Sequence, residues 1–365
     1  MFALRWLVPL CIYLGIVPAN IAEAQSSRWT HYGIRPMAMG NAYVAVADDF
    51  NSLFYNPAGL TRIKKWDGEF FNFIGGQMST NSATAITDLL NLSGGQSSGI
   101  GATFDIIEKY TGTNQGVGLR GTPYLVAENF GMGIGGDIGF WGGFHRYPSV
   151  SIDAGTDIIV IPTSMAMSFL QKRLSVGFGI KARFFTGVRS DFSITELQAL
   201  SGDNGSNIND YASLGMGGGA DFGILFTPID LWEPTLGISI TDIGGTSYNQ
   251  IDKSVKSPDI TLASANLGLS MKPYQKKESY LRTSIDIHSI NQPFSFTKKL
   301  NLGVEYGYSE ILKLQAGLHQ GYLTGGFQVD VGLLNLRFAS YSEEMGAKAG
   351  TSEDRRYVVS IKLLI

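Results

Sequence analysis

The chain has 365 residues, with 46 glycines, 12% aromatic residues and only 16% charged residues, and its formal net charge is −3. An average protein contains about 7% glycine, so this chain is too rich in glycine for an ordinary helical enzyme, and it is too apolar for a disordered one. Its basic residues are spread along an acidic chain, which gives no support to nucleic-acid binding.

The first residues have the features of a secretory signal peptide. A single basic residue, Arg5, precedes an apolar run from Trp6 to Val17, and Ala22-Glu23-Ala24 follows as a cleavage site of small residues. The run is about a dozen residues long, short of the ~20 that a spanning helix needs, although an uncleaved anchor is the alternative. We expect residues 1–24 to be removed. The mature chain would then begin at Gln25 and contain no cysteine.

Alternation of apolar and polar residues is the main feature of the rest of the chain. Tyr357, Val359, Ile361, Leu363 and Ile365 share one face of a predicted strand, because successive side chains of a strand point to opposite faces. No later apolar run reaches the ~18 residues of a transmembrane helix. The pattern predicts an all-β protein with fourteen strands, at about 66–75, 117–127, 130–144, 156–169, 174–190, 211–227, 235–242, 259–271, 279–288, 298–308, 311–319, 322–330, 333–342 and 355–365.

Connection lengths distinguish between two architectures that share this alternation. A soluble sandwich also alternates, but here the long connections follow odd-numbered strands, at about 76–116, 145–155, 191–210, 243–258 and 343–354. Outer-membrane barrels have an even number of antiparallel strands, short periplasmic turns and longer extracellular loops. We therefore predict a fourteen-stranded transmembrane β-barrel over residues 66–365. Aromatic residues near the strand ends are predicted to form its interfacial girdles: Trp66, Tyr124, Trp141, Phe144, Trp232, Tyr280, Tyr341 and Tyr357.

Three stretches of the long loops have apolar residues at helical spacing, at 83–92, 103–110 and 195–200. Such helices either pack on each other and cap the barrel, or offer an apolar landing site for a ligand. The spacing alone leaves both interpretations open.

Residues 25–65 precede the first strand and do not alternate. Within them Asn56-Pro57-Ala58-Gly59 predicts a rigid, compact turn, because Pro57 biases Asn56 away from helix and Gly59 permits unusual dihedral angles. The alternative is a plain turn that leads into the first strand.

Two motifs carry a resemblance to a known family. Gly33 to Leu60 includes the run Ala45-Val46-Ala47-Asp48-Asp49 and the turn just described, and the C-terminal part includes Tyr341 to Gly346 followed by Asp354-Arg355-Arg356. Together they resemble the long-chain fatty-acid transporter (FadL-like) superfamily, in particular its PorV-type branch. The resemblance implies that residues 25–65 form a hatch inside the lumen. The implied hatch and gate residues are Asp48, Asp49, Asn56, Pro57, Ala58 and Gly59.

Glycine is spaced two residues apart along the third predicted strand. Gly131, Gly133 and Gly135 share the inward face with Asp137, and a similar series recurs from Gly215 to Gly223. Glycine inside a strand marks a bulge, a bend or a close backbone approach. Either the hatch packs there, or a kink opens the wall laterally near strand three, as the family resemblance implies.

Charged residues are predicted to face the lumen, where they form mutual ion pairs or bind a ligand. They are Lys181, Arg183, Arg282, Asp286, Glu305, Lys313, Arg337 and Lys362. Charge-assisted hydrogen bonds would orient an anionic head group. Our candidates for that role are Arg183, Arg337, Lys181 and Lys313.

Catalytic, metal and cofactor sites find little support in the sequence. The chain has four histidines, none with the spacing of a metal site, and we predict no catalytic residue, metal or cofactor. An outer-membrane lipase with a Ser-His pair is the enzymatic alternative, because such partners need not be close in sequence.

The leading hypothesis is passive uptake of a hydrophobic small molecule, similar to a long-chain fatty acid, through a hatch-gated barrel in the outer membrane. The alternative is a PorV-like scaffold or shuttle that binds exported proteins or assembly factors. Under either hypothesis we expect contact with outer-membrane lipid and with the barrel assembly machinery, and no nucleic-acid partner.

Overall fold

The computed structural model describes residues 33–69, 75–80, 108–144, 149–193, 195–196, 208–309, 311–332, 334–346 and 348–363, together with residues 82, 84, 87 and 88. The predicted signal peptide and most of the predicted loop helices lie outside the described residues. Within them, no helix is long and apolar enough to cross a membrane.

Within the described residues, seventeen strand segments form one antiparallel sheet. They are β1 Asp67–Glu69, β2 Gly75–Ser79, β3 Asn114–Gly121, β4 Tyr124–Ala127, β5 Phe130–Phe144, β6 Ser149–Phe169, β7 Leu174–Ser193, β8 Ala212–Phe226, β9 Thr235–Thr241, β10 Tyr248–Gln250, β11 Ser264–Gln275, β12 Ser279–Ile287, β13 Leu300–Tyr308, β14 Leu312–His319, β15 Tyr322–Val331, β16 Leu334–Glu344 and β17 Glu353–Leu363.

The sheet closes on itself, because β17 pairs with β2, for example Val358 with Gln77. Segments β3 and β4 share one position of the ring because both pair with β5, and β9 and β10 share another because both pair with β8. Segments β1 and β2 share the position next to β3 and β4, because β1 pairs with β4 and β2 pairs with β3. The described segments therefore occupy fourteen positions, which confirms the predicted fourteen-stranded barrel. Closure removes the unpaired edges that a membrane would not tolerate.

The two faces of the wall have opposite chemistry. On β12, Ile285 is 51% exposed while its neighbour Asp286 is 0% exposed, and on β13 Val304 is 42% exposed while Glu305 is 0% exposed. A soluble sandwich would bury the apolar residues and expose the charged ones. The apolar exterior and polar interior are those of a transmembrane barrel, in which lipid solvates the outside.

Most long connections leave one end of the barrel, which we call the loop end, and short turns join the strands at the other, the turn end. The two-residue turn Gln320-Gly321 between β14 and β15 is an exception at the loop end. The prediction of a long connection at 145–155 was wrong, because β6 begins at Ser149 and pairs with β7 up to Ser193. These strands have 21 and 20 residues, about twice the ~9–11 that cross a bilayer. They extend beyond the membrane at the loop end, where polar side chains cost nothing. The strand predicted from residue 259 begins only at Ser264.

Residues 33–63 form a compact segment of short helical turns: a helix at Ile34–Ala38, another at Ser52–Tyr55 and a 3₁₀ helix at Pro57–Arg62. Nearly all of these residues are buried. The first helix contacts β14 to β17, and the 3₁₀ helix contacts β5 to β8, on the other side of the ring. Contacts on both sides place the segment within the ring of strands. We call it the inner segment.

Candidate functional site: the inner segment and the strands around it

The inner segment is joined to the wall by a network of buried charges. The Arg35 guanidinium donates two hydrogen bonds to the Glu305 carboxylate, at 2.6 and 2.7 Å, which join the segment to β13. It also donates to Asp48 at 2.7 Å, to Asp49 at 3.0 Å and to the Tyr43 hydroxyl at 2.6 Å. Charge-assisted, bidentate bonds of this kind are the strongest hydrogen bonds that proteins make. One arginine thus joins three carboxylates that would otherwise repel one another.

A second arginine, on the wall, completes the network. Arg282 of β12 lies 2.8 Å from Asp48, and the Tyr280 hydroxyl donates to Glu305 at 2.8 Å. Burial alone would raise the pKa of Asp48, but Arg282 and Arg35 together hold it well below its usual range. Asp48 therefore stays ionised at neutral pH. It is one of the predicted hatch residues.

The predicted turn lies on the opposite side of the segment. The Asn56 side chain donates to the Val44 carbonyl at 2.9 Å and to the Ile224 carbonyl of β8 at 3.2 Å, and its oxygen accepts from the Ala58 amide at 3.2 Å. Asn56 is 0% exposed, and Pro57 starts the 3₁₀ helix. The turn is therefore bonded both to itself and to the wall.

Glycine allows the turn to approach the strands so closely. A methyl group built on Gly177 of β7 would lie 2.3 Å from the Ala58 nitrogen, and one built on Gly223 of β8 would lie 1.9 Å from Asn56 Oδ1. Inside the segment, a methyl on Gly59 would lie 2.4 Å from the Ala47 carbonyl oxygen. Alanine at Gly177 or Gly59 would require the backbone to move, and alanine at Gly223 would displace the buried Asn56 side chain.

The side of the inner segment that faces β4 to β6 is apolar. A methyl group on Gly131 would lie 2.8 Å from Leu53 Cδ2, and the Phe50 ring is stacked on Tyr124 with centroids 4.2 Å apart. One buried cluster joins the segment to this part of the wall: Met39, Tyr43, Val46, Ala47, Phe50, Leu53, Phe54, Tyr55, Leu60 and Ile63 with Tyr124, Val126, Ile159, Ile161 and Ala166. Ion pairs thus hold one side of the segment, and apolar packing holds the other.

The four predicted wall residues lie in a row on the inner face of β5. Gly131 and Gly133 contact Leu53, Gly135 is buried, and Asp137 forms a 2.5 Å ion pair with Arg120 of β3. The register between β5 and β6 shifts between Gly131 and Gly133, where the extra residue lies on β6 between Ile161 and Ser164, and β5 stays paired with both neighbours. The inner segment contacts this strand at the first two glycines. A lateral opening there stays a prediction.

The second glycine series lies on β8 and has two different neighbours. Methyl groups on Gly215 and Gly217 would meet Pro258 and Ser247, which belong to the excursion between β9 and β11. Gly223 meets Asn56 instead, as described above. Only the turn end of this series contacts the inner segment.

Two of the four proposed head-group residues form ion pairs with carboxylates of the barrel. Lys181 lies 2.7 Å from Asp221 and 3.0 Å from Asp242, and all three are buried. Arg183 binds Asp157 through two hydrogen bonds, at 2.6 and 3.1 Å. For these two cations, the structure agrees with the interpretation that charged residues in the lumen form ion pairs with one another.

The other two, Lys313 and Arg337, are half-buried. Among the described residues neither makes a hydrogen bond or an ion pair, although Arg337 lies 5.8 Å from the centre of the Phe50 ring. Lys313 of β14 and Arg337 of β16 each pair in register with Gln328 of β15. The two cations therefore lie on either side of Gln328 near the turn end, with the capacity to bind an anion.

The aromatic girdle prediction was wrong for several residues. Tyr124 and Tyr341 are buried inside the barrel, Tyr280 contacts Glu305, and Trp141 also faces the lumen, whereas Trp66 and Trp232 are exposed. Parity would have corrected Trp141, since it stands in phase with Gly131 to Asp137. Arg35 was not singled out from the sequence, because nothing local distinguishes it from a surface arginine.

The lumenal histidines are engaged by neighbours. His288 Nε2 lies 3.2 Å from the Asp286 carboxylate, and His319 Nδ1 lies 2.7 Å from the Asn301 amide oxygen. Asp286 in turn accepts from the Val44 amide of the inner segment at 2.7 Å. No group of three metal-ligating side chains occurs in the described part of the chain.

Taken together, the fold and the site define a transmembrane β-barrel whose lumen holds an N-terminal segment. No protein-family model matches the sequence, and no curated protein matches it. Among solved structures, similarity is found to the Pseudomonas putida toluene transporter TodX, with 12% identity, 90% of this chain and 96% of that chain covered, and a TM-score of 0.47.

Similarity also extends to the TodX deltaS2S3 mutant monoaromatic hydrocarbon channel, with 12% identity, coverage of 91% and 99%, and a TM-score of 0.46. Outer membrane phospholipase A from Escherichia coli matches at 11% identity, with coverage of 57% and 79% and a TM-score of 0.31. Similarity this low carries no conclusion about activity.

Proposed function

We propose that this protein lies in the outer membrane and lets a hydrophobic small molecule enter the cell by diffusion. The observation that carries the proposal is a row of inward-facing glycines on β3 and β5 that leads to the apolar side of the inner segment. From the loop end, the inward positions are Gly116, Gly118 and Arg120 on β3, and Trp141, Gly139, Asp137, Gly135, Gly133 and Gly131 on β5. The row ends where Gly131 and Gly133 contact Leu53 of the inner segment.

The polarity of the contacts supports a route on this side of the segment. An apolar molecule that moved along β5 would pass Trp141 and the Arg120–Asp137 ion pair before it met the apolar cluster around Leu53. On the side of β12 and β13 it would meet only the buried network of Arg35, Asp48 and Glu305. Burial of apolar surface favours binding by roughly 25 cal/mol per Å², so capture needs no energy source. The inner segment acts as the hatch in this proposal, and the network of Arg35, Asp48 and Glu305 is its latch.

Exit is proposed through the wall near the register shift at Gly131 and Gly133. Lys313 and Arg337 are the candidates for an anionic head group, as of a fatty acid, because Lys181 and Arg183 already have carboxylate partners. Arg337 also contacts Phe50 of the inner segment, which would couple head-group binding to the hatch. Residues 1–24 are the proposed signal peptide, and the barrel assembly machinery the proposed partner in insertion.

A disulfide between the inner segment and the wall tests this function. A methyl carbon on Gly303 would lie 3.3 Å from Ala42 Cβ, close to the ~3.5–4.5 Å of a disulfide. The same carbon would lie 2.5 Å from the Met39 carbonyl oxygen, so the Gly303→Cys single variant also measures the effect of a displaced segment on uptake. We expect cells that produce the Ala42→Cys/Gly303→Cys protein to take up radiolabelled oleate when reduced, and at the rate of vector-only cells when oxidised. Each single-cysteine variant is the control. Uptake that never exceeds the vector background would overturn the proposal.

A scaffold is the second candidate, favoured by exposed apolar side chains at the loop end. They are Ile251, Ile260, Leu262, Ile290 and Phe296. A protein that binds partners needs such a surface, and a channel does not. Mass spectrometry of material that co-purifies from the native membrane separates the two: a stoichiometric apolar molecule supports the channel, and reproducible partner proteins with an empty barrel support the scaffold.

A further inference from the structure

Trp141 lies over a floor made of glycine. A methyl group built on Gly116 of β3 would lie 1.7 Å from the indole Cε3 atom, one on Gly118 would lie 3.2 Å from Cζ2, and one on Gly139 would lie 2.9 Å from Nε1. Gly116 pairs with Trp141, and Gly118 pairs with Gly139. Three glycines from two adjacent strands thus leave a flat space that one ring system fills.

The closing hairpin covers the other face of the indole. The Arg356 guanidinium carbon lies 4.0 Å from the centre of the Trp141 ring, a distance typical of a stacked cation–π contact. Arg356 donates to Asp354 through two nitrogens, each at 2.7 Å, and lies 3.7 Å from Glu343. The charged residues of the C-terminal motif therefore fix a cation above the ring.

An unused hydrogen-bond acceptor lies beside this floor. Gln77 of β2 pairs with Gly118 and is 2% exposed. Its amide nitrogen donates to the Tyr341 hydroxyl at 2.6 Å, while its amide oxygen has no hydrogen-bond partner within the described part of the chain. Buried polar atoms without a partner are rare, and one at the edge of a ring-shaped space is suited to a ligand that carries a donor.

The space lies on the loop side of the inner segment. Along β17, Val358 packs against the segment in a cluster with Met37 and Ala38, and Arg356 is the next inward residue towards the loop end. A molecule that enters from the loop end would reach Trp141 before it reaches the hatch.

We propose that this space is a binding site for a flat apolar ring that carries one hydroxyl or N–H donor, such as a phenol. The ring displaces the indole of Trp141, lies on Gly116, Gly118 and Gly139 beneath Arg356, and donates to Gln77. This proposal rests on the proposed function, in which the site would be the first place that an entering molecule binds. It adds aromatic rings with a donor to the ligands of that function, whereas Lys313 and Arg337 suit an anionic head group.

Contact quenching of tryptophan fluorescence tests the site directly. The probe is 4-bromophenol, whose bromine quenches an indole at contact, and bromobenzene is the same ring without the donor. The variant used keeps Trp141 as its single tryptophan, and its other four tryptophans are replaced by phenylalanine: Trp6, Trp29, Trp66 and Trp232. A protein with Trp66 alone, which is 73% exposed at the turn end, is the matched control.

We expect 4-bromophenol to quench Trp141 saturably and Trp66 only in proportion to its concentration. Bromobenzene should bind at least about tenfold more weakly, and Gln77→Leu should remove that difference. Gly116→Ala, which fills the floor, should weaken binding at least about fivefold, while Gly76→Ala, where a methyl group meets nothing within 4 Å, should leave it unchanged. Retention of the folded electrophoretic mobility of the unheated barrel shows that each variant is folded.

Linear quenching at Trp141, or saturable quenching that Gln77→Leu and Gly116→Ala leave unchanged, would overturn the site. Saturable quenching without any oleate uptake would support the ring-binding site and contradict the uptake function. Oleate uptake with linear quenching would support the uptake function and contradict the ring-binding site.

Discussion

Removing the Arg35 side chain should release the inner segment while leaving the barrel closed. In Arg35→Met the Glu305 carboxylate, which is 0% exposed, loses two charge-assisted bonds, and Asp48 and Asp49 lose one each. Breaking a buried ion pair by removing one partner costs about 3–5 kcal/mol. Arg282 and Tyr280 still compensate part of the remaining charge, so the lower end of this range is the expectation.

The cost should appear locally, because the strands keep their own hydrogen bonds. A loss of about 3 kcal/mol corresponds to a roughly hundredfold rise in opening, since 1.4 kcal/mol is a factor of ten. Hydrogen exchange measured by mass spectrometry should therefore show residues 33–63 exchanging roughly 100-fold faster, with β12 to β16 unchanged.

A matched control is Arg355→Met, which removes an exposed pair with Glu353 and should change exchange less than about threefold. If exchange in residues 33–63 rises less than tenfold in Arg35→Met, or if the strands open to the same extent, the network does not act as a latch.

Three further outcomes are expected. Gly177→Ala should destabilise docking of the inner segment by about 1–3 kcal/mol, because its methyl group would lie 2.3 Å from the Ala58 nitrogen, whereas Gly76→Ala should be neutral by the same exchange measurement. Acid should loosen the segment only below about pH 4, because the depressed pKa of Asp48 stabilises the folded state above the ordinary carboxyl pKa. That contribution is lost as the pH falls through the pKa that Asp48 has in the folded state, and hydrogen exchange measured against pH would show the loss. Glu344→Ala should make the hairpin loop at 345–352 susceptible to protease, because this carboxylate accepts four hydrogen bonds from loop residues, and intact loops in the variant would contradict this role.

The alternation of apolar and polar residues was sufficient to predict the barrel, because the membrane constrains the polarity of every residue in a spanning strand. Lipid on one side and the lumen on the other assign each position of a strand by parity alone, so Lys181, Glu305 and Arg337 could be placed inside without any contact known. The same reasoning missed the early start of β6. Its first residues lie beyond the bilayer, where the apolar constraint is absent.

What the tertiary structure decided is which inward residues meet. Arg35 and Glu305 are 270 residues apart in sequence, and Trp141 meets Arg356 only because the last strands close the ring against the first. Local patterns carry no information about such pairs, because a cation that faces the lumen could pair with any of several anions that also face it. Ring closure and register choose among them. For this reason the sequence predicted a charged lumen with a segment inside it, and only the fold separated the paired cations Lys181 and Arg183 from Lys313 and Arg337.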